Sequence, residues 1–459
     1  MIPSYQPSAS TEQGMIREPQ YITTDLAEAT DPLGVAQCEA VGINNNGEIV
    51  GYEVLDDFKY RSIYWSQNGI ASILENNEGD NSSRPYMIDD NGLILGWSAF
   101  VWYEWIGGFK KLHMNQTAVT WKDQVCANLN DEVTGGDTLD LYHARDKNDA
   151  GQIVGSGAPP GNEPPPWWPN GFILDQGIVT DLGDATHPEA INNQGHIAGY
   201  IEGGFTHAYE WEDGNLVDLN NPPILANYSQ AFDINDNDII VGFAQMSYSG
   251  YEEPIVWINH EPVRVLTNNS SRFFGYATAI NKKDEVVGWY IDYNSPNPLF
   301  LAFLWKDGKT IILNDFLPSD QGWGDIYPED INDHGQIVGL GYRDGYGWRA
   351  FLMTPPTPVL NIEVKGGFGI TASINNTGYA PATNVSWSIS LDGGLIFLGK
   401  ETTGSIANIA AGDIAQIRSK LILGIGKTTI TIHAECDEAV EVTKSVNGSV
   451  FLVFTLGVH

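Results

Sequence analysis

The stretch EDINDHGQIVG, residues 329–339, is one of seven versions of a single phrase in this chain. The others are EAVGINNNGEIVG (39–51), YMIDDNGLILG (86–96), ARDKNDAGQIVG (144–155), EAINNQGHIAG (189–199), AFDINDNDIIVG (231–242) and ATAINKKDEVVG (277–288). Their closing glycines, Gly51, Gly96, Gly155, Gly199, Gly242, Gly288 and Gly339, are 45, 59, 44, 43, 46 and 51 residues apart. A period in the forties marks repeat architecture. Each phrase reads as a strand ending in Ile-Asn, a turn of Asn, Asp and Gly, and a second strand of Ile and Val. Asn, Asp and Gly tolerate the left-handed backbone of a hairpin turn, and β-branched residues suit a pleated surface.

Downstream of each hairpin comes a third apolar run: SIYW (62–65), AFVW (99–102), GFIL (171–174), AYEW (208–211), PIVW (254–257), AFLW (302–305) and AFLM (350–353). A fourth follows in six repeats: GIASIL (69–74), GFKKL (108–112), GIVTDL (177–182), NLVDL (215–219), EPVRVL (261–266) and GKTIIL (308–313). Four strands per repeat is the content of a propeller blade. The seventh repeat lacks its fourth strand before TPPTP (354–358), and YITTDL (21–26) matches GIVTDL and supplies it from the other end. The expected fold is all-β: a seven-bladed β-propeller over 20–353, closed by strand 21–26, after a tail of 1–19. Residues 354–459 form a second domain of short alternating strands, such as GITASINN (369–376), NVSWSISL (384–391) and KTTITIHAE (427–435), which predict an Ig-like β-sandwich.

The 459 residues carry 58 acidic and 23 basic side chains, a formal charge of −35. That charge opposes phosphate backbones, so nucleic acid is not an expected partner. The screening length of ~8 Å in physiological salt leaves local pockets free to hold either sign. The 3 cysteines, Cys38, Cys126 and Cys436, suggest buried thiols rather than a disulfide framework or a zinc site. Residues 1–20 lack the apolar core of a signal peptide. SVFLVFTLGV (449–458) is apolar for half the ~20 residues a membrane span needs, so it reads as a last strand or the stump of an anchor.

The recurring Ala, Ile-Asn, Gly, Ile-Val-Gly, then Ala-Phe-Leu-Trp, Asp-Gly and Asp-Leu resembles the HAF family of extracellular repeats, over about residues 21–353. The naming triplet survives as HAY (207–209). That resemblance implies an exported or surface-attached protein and no particular chemistry. The second and third repeats depart from it: Asp89 replaces the strand-ending Asn, Lys147 replaces the Ile, and an insertion, His113 to Tyr142, lies between them. The second domain resembles the Ig-like modules of cell-surface proteins through NNTGYAPATNVSWSI (375–389).

Function is sought on the face that receives the long connections, such as APPGNEPPPWWPNG (158–171) and PSDQGWGDIY (318–327). Five positions before each strand-ending Asn or Asp stand Glu39, Arg84, His143, His187, Gln230, Tyr276 and Tyr327. On the expected topology these seven ring the channel mouth, with Trp167, Trp168 and Trp323 from the loops as sugar-stacking partners. The leading expectation is an exported or cell-surface protein that binds a glycan or another surface component. The alternative is a polysaccharide lyase acting on a uronate-containing glycan, and the ring resembles the sites of propeller lyases such as the ulvan lyases. In that case His143, His187, Tyr276, Tyr327 and Arg84 would supply base, acid and charge neutralisation. A protein-interaction scaffold is the third reading. No metal or other cofactor is expected. Asp146, Asn148 and Gly151, Asp233, Asn235 and Asn237, and Asp330, Asn332 and Gly335 mimic the opening of a calcium loop, yet four repeats lack the leading carboxylate.

Overall fold

The computed structural model describes residues 21–26, 37–56, 59–107, 109–161, 169–212, 214–220, 228–246, 250–266, 272–294, 297–318, 320–378, 380–438 and 440–458. They are strands and turns, with two single turns of 3-10 helix at Leu129–Glu132 and Leu313–Phe316. By contacts within the chain they divide into two compact units, one of Ile22–Thr354 and one beginning at Pro355.

Among the described residues the first unit holds seven small sheets, six of them built wholly from strands consecutive in the chain. Their first strands are Cys38–Ile43, Ser82–Ile88, Asp140–Lys147, Thr186–Ile191, Ser229–Ile234, Phe273–Ile280 and Trp323–Ile331. The last sheet takes its outermost strand from the start of the chain: Ile22–Asp25 pairs antiparallel with Gly347–Thr354, Asp25 opposite Phe351. Asp25 also accepts a 2.6 Å ion pair from Arg343, and the Leu26 carbonyl accepts the Trp65 indole N–H of the first repeat at 3.0 Å.

The second repeat differs from its sequence reading. AFVW and GFKKL are not its third and fourth strands but the outer parts of one long hairpin, Ile94–Ile106 against Phe109–Lys122. The third strand is the inner half of the second arm, where Trp121 faces Ile94, and Val125–Asn128 is the fourth. Neither Gly nor Pro interrupts residues 97–106 or 109–122, so a strand that simply runs on leaves no boundary in the sequence. Much of the insertion after His113 therefore lies inside the repeat. A further pair, Gly135–Gly136, adds a parallel fifth strand beside Ile178–Asp184.

Apolar cores lie between sheets as well as within them. Ala198 and Ala208 of the fourth repeat pack with Ile234, Ile240 and Trp257 of the fifth, and Trp65 and Ile49 of the first with Val338 and Ala350 of the seventh. Such units bury their faces on their neighbours, which is how repeat arrays gain stability. The strand-ending asparagines add a polar link. Each Oδ1 accepts an N–H from its own turn, as at Gln336 (3.0 Å to Asn332), while Nδ2 donates to a carbonyl of the next repeat. Asn44 reaches Asp89, Asn148 reaches Asn192, Asn192 reaches Asn235, Asn235 reaches Asn281, Asn281 reaches Asn332, and Asn332 reaches Asn44, at 2.9–3.1 Å. Only a side-chain amide can accept and donate at once in this way. Asp89, which cannot donate, is bridged instead by the Lys147 ammonium at 3.0 Å. The two departures from the repeat pattern therefore compensate each other, and the chain of links returns to its start.

The second unit consists of two sheets, one of Leu360–Lys365, Thr371–Asn376 and Ile414–Arg418, the other of seven strands. Ile362, Ile374 and Ile417 of the first share one core with Ile389, Ile430 and Ile432 of the second. SVFLVFTL is not a single strand: it folds back on itself, Phe451 opposite Phe454, with Leu452 in the left-handed region at φ 56°. No helix among the described residues is long and apolar enough to cross a membrane. The cysteines are free, and burial pushes the Cys38 thiol up to about 11 and the Cys126 thiol to about 12.

Candidate functional site

The closing glycine of the repeat phrase explains how side chains reach the centre of the ring. A Cβ on Gly51, Gly96, Gly155, Gly199, Gly242, Gly288 or Gly339 would stand 1.9–2.2 Å from the carbonyl oxygen of Glu39, Arg84, His143, His187, Gln230, Tyr276 or Tyr327 respectively. None of these glycines has a left-handed φ; they are needed for close approach. That approach accompanies a bulge in every first strand, between Ala40 and Gly42, Pro85 and Met87, Ala144 and Asp146, Pro188 and Ala190, Ala231 and Asp233, Ala277 and Ala279, and Pro328 and Asp330. A bulge inserts one residue and re-aims its side chain. The inserted residues, Val41, Tyr86, Arg145, Glu189, Phe232, Thr278 and Glu329, all line a central cavity of about 410 Å³.

These seven were not singled out from the sequence. They stand three positions before the strand-ending Asn, and their signal is diversity: one aliphatic, two aromatic, one cationic, one hydroxyl and two acidic residues at a site whose flanks repeat closely. Of the residues five positions before the Asn, Arg84 alone is among the cavity's lining side chains.

One arc of the cavity is charged. Arg84 lies 4.4 Å above the Tyr52 ring, and the Tyr52 hydroxyl donates to Glu39 at 2.5 Å. Arg145 lies 4.1 Å above Tyr86 and 3.3 Å from the Glu189 carboxylate. His143 packs between Tyr86 and Trp97, and His187 stacks on Tyr200 at 4.5 Å with Glu202 3.5 Å away. Burial, then the Arg145 and Arg84 charges, push His143 down to about 3; burial and Arg145 push His187 down to about 4. Both imidazoles are neutral near pH 7. Glu329 is pushed up to about 8 by burial and the Glu39 charge. Among the described residues the buried Nε of Arg84 and of Arg145, and behind them the Nε2 of His143, have no hydrogen-bond partner, and the His187 Nε2 has only Glu202 at 3.5 Å.

Beside Phe232 of the lining, and outside the lining itself, lies an aromatic cluster. Trp289 lies 5.0 Å from Tyr276 and 5.2 Å from Tyr327, Phe243 lies 4.8 Å from Tyr276, and Phe300 lies 4.2 Å from Tyr327. The Tyr276 hydroxyl donates to Glu252 at 2.8 Å, and burial pushes both phenols above their ordinary range. Gln230 sits opposite Phe243 in its hairpin. Trp323 is not brought to the cavity: its ring packs edge-on to Phe351 and its indole N–H reaches Gln321 at 3.3 Å. Trp167 and Trp168 lie outside the described residues.

The leading carboxylates of the calcium-like turns, which also line the cavity, have backbone partners. Asp146 accepts the Ile191 N–H, Asp233 the Ile280 N–H and Asp330 the Ile43 N–H, each at 2.8 Å and each in the following repeat. Burial raises Asp146 and Asp330 to about 6 and Asp233 well above its ordinary value, against the lowering effect of those N–H groups.

Residues 204–325 match a family model described as a protein of unknown function (DUF3466). No curated protein matches the sequence. Among solved structures the chain is similar to TolB from Acinetobacter baumannii, at 9% identity and TM-score 0.32 over 67% of this chain and 80% of that one. It is similar to the extracellular domain assigned to a hybrid two component system of B. thetaiotaomicron, at 9% and 0.43 over 94% of this chain and 59% of that one. It is also similar to Trypanosoma rangeli sialidase, at 10% and 0.33 over 92% and 85%. Likenesses this distant bear on neither ligand nor chemistry.

Proposed function

We propose that this chain is an exported or cell-surface binding protein, a seven-bladed β-propeller of the HAF type with an Ig-like C-terminal sandwich, which holds an acidic glycan at the central cavity. The observation that carries the ligand class is the pair of buried Nε–H groups of Arg84 and Arg145, both lining the cavity and without a hydrogen-bond partner among the described residues. An unpaired buried donor costs about 1–3 kcal/mol, which a bound carboxylate or sulfate would recover. Tyr86 and Phe232, the aromatic residues of the cavity lining, offer the apolar faces on which a sugar ring stacks. The export reading rests on the resemblance of the repeats.

Binding is favoured over the lyase reading because the candidate bases are poorly tuned. A general base works best with a pKa near the operating pH. His143 at about 3 and His187 at about 4 are weak bases, and Tyr276 and Tyr327 hold their protons more tightly than free phenols. A glycan array should show retention of uronate-bearing or sulfated polysaccharides that is lost in Arg84→Gln and persists in a variant of exposed Lys444. Retention of neutral glycans only, or none at all, would overturn the ligand class. Accumulation of unsaturated uronate product, followed by ultraviolet absorbance, would restore the lyase.

A further inference from the structure

Away from the cavity, on the side of the Ile-Asn turns, four titratable side chains of the fourth and fifth repeats meet. The His196 Nδ1 lies 2.9 Å from Asp238 Oδ1 and 3.5 Å from Glu210 Oε1, and the His260 Nε2 lies 2.5 Å from the other Glu210 oxygen. Glu210 is 2% exposed. The donor atoms of His196, Glu210 and Asp238 all lie within 4.8 Å of one another.

The other repeats act as an internal control for what the fold itself requires. Glu210 pairs with Ala198 in its sheet; the residues at the matching register are Tyr64, Thr120, Ile173, Val256, Leu304 and Leu352, none of them ionised. His260 stands at φ 65° in the turn after the third strand, where Gly69, Gly177, Gly214 and Gly308, and in the second repeat Gln124, stand in sibling turns. Asp238 stands at φ 55°, where five repeats place glycine and the sixth places Asp284, and like Asp284 it accepts the side-chain amide of the preceding repeat's Asn, here Asn192 at 2.8 Å. Glycine takes a left-handed backbone without steric cost, whereas a side chain there is disfavoured. Glu210, a carboxylate taken out of water at a register where no other repeat places one, thus meets both His196 and His260, and Asp238 closes on the same His196 nitrogen.

We propose that His196, Glu210 and Asp238 bind one divalent transition-metal ion of the zinc class, which cross-links the fourth and fifth repeats. Zinc takes imidazole nitrogen and carboxylate oxygen at ~2.0–2.2 Å. Donor atoms 2.9 and 3.5 Å apart bracket the spacing of such a tetrahedral set, leaving a fourth position for water. His260 holds the second Glu210 oxygen and so orients the ligand carboxylate, the role of an outer hydrogen bond at metal sites. The ligands come from both repeats, Asp238 from the fifth and the other two from the fourth, so the ion acts as a staple across an interface that apolar contacts and the hydrogen bonds of Asn192, Asn193 and Gln194 to the Asn235–Asp238 turn also hold.

The test is a zinc titration of the chelator-treated, dialysed full chain by calorimetry, with melting temperature read in parallel. One ion per chain and a rise in melting temperature are expected. His196→Gln and Asp238→Asn should abolish both effects, and His260→Gln should weaken affinity on the order of tenfold to a hundredfold. Cobalt(II) should give the strong visible bands of a tetrahedral site in the wild type and not in His196→Gln. No binding to the wild type, or affinity unchanged in His196→Gln, would overturn the proposal. If Glu210→Gln fails to fold, the half-buried turn residues His196 and Asp238 still decide it.

Discussion

At the scale of single residues, the departures from the repeat are the informative ones. Asp89 and Lys147 each break the pattern, and each is intelligible only through the other, since the 3.0 Å ion pair replaces an amide link. Lys147→Ile alone leaves a half-buried carboxylate without its cation, and Asp89→Asn alone leaves Lys147 unpaired in a ring position that holds Ile in most repeats. The double variant restores the common pattern. Thermal melts of the cycle should show two destabilised single variants and a double variant near wild type, with a coupling of about 0.5–3 kcal/mol; additive losses would show that the pair does not interact. Glu329 offers a test by pH. Its folded value of about 8 lies above the ordinary 4.5, so the folded state holds this proton more tightly than the unfolded chain. The stability it contributes is full below pH 4.5 and is lost as pH rises through about 8. Glu329→Gln keeps the shape and removes the titration. It should melt with the wild type near pH 5 and above it at pH 8, and parallel pH profiles would count against this assignment. His143 and His187 act in the opposite sense, with stability present above 6.5 and lost as pH falls toward about 3 and 4, in wild type and variant alike.

At the scale of elements, the strand Ile22–Asp25 and the closing glycines carry most of the consequence. Ile22–Asp25 covers the edge of Gly347–Thr354, and Leu26 links onward to Trp65 of the first repeat. Removing residues 1–27 should expose that edge and lower the melting temperature or cause aggregation, because an uncovered strand edge pairs with other chains. Removing residues 1–18, which carry no strand pattern, should change little. Equal behaviour of the two truncations would mean that Ile22–Asp25 does not hold the seventh sheet to the first. The glycines are tested by Gly242→Ala, whose new Cβ would stand 2.0 Å from the Gln230 carbonyl oxygen. Backbone must move to admit it, so the variant should be destabilised by more than the ~1 kcal/mol typical of point substitutions, whereas Gly204→Ala, with open space around it, should be near neutral.

At the scale of the whole molecule, the two compact units make a separable prediction: residues 21–354 alone should fold and keep glycan binding, and loss of binding on removing 355–459 would assign part of the site to the second unit. What the sequence by itself determined about this protein is the local and the periodic. The hairpin turn and the strand alternation are set by backbone preference and by side chains within a few residues of one another and are legible in EDINDHGQIVG (329–339) alone, and the period is legible in the recurrence of that phrase. AFVW and GFKKL read along the chain as separate strands yet are the outer parts of one hairpin, because no turn residue in either arm marks where a strand of the sheet ends and an extended arm begins. The candidate site was legible only as a polar register. The register chosen, Glu39 to Tyr327, brings Arg84 to the cavity, while the side chains lining it from every repeat stand two residues further on. That offset comes from a bulge, in which two residues of one strand face one of its partner, and a bulge is a property of the pair that no single strand declares. The meeting of His196, Glu210, Asp238 and His260 belongs to the same class: residues up to 64 apart in sequence are joined by the packing of two neighbouring repeats. Period and turn chemistry are written along the chain, whereas register, bulge and the contacts between repeats arise only when strands distant in sequence settle against one another.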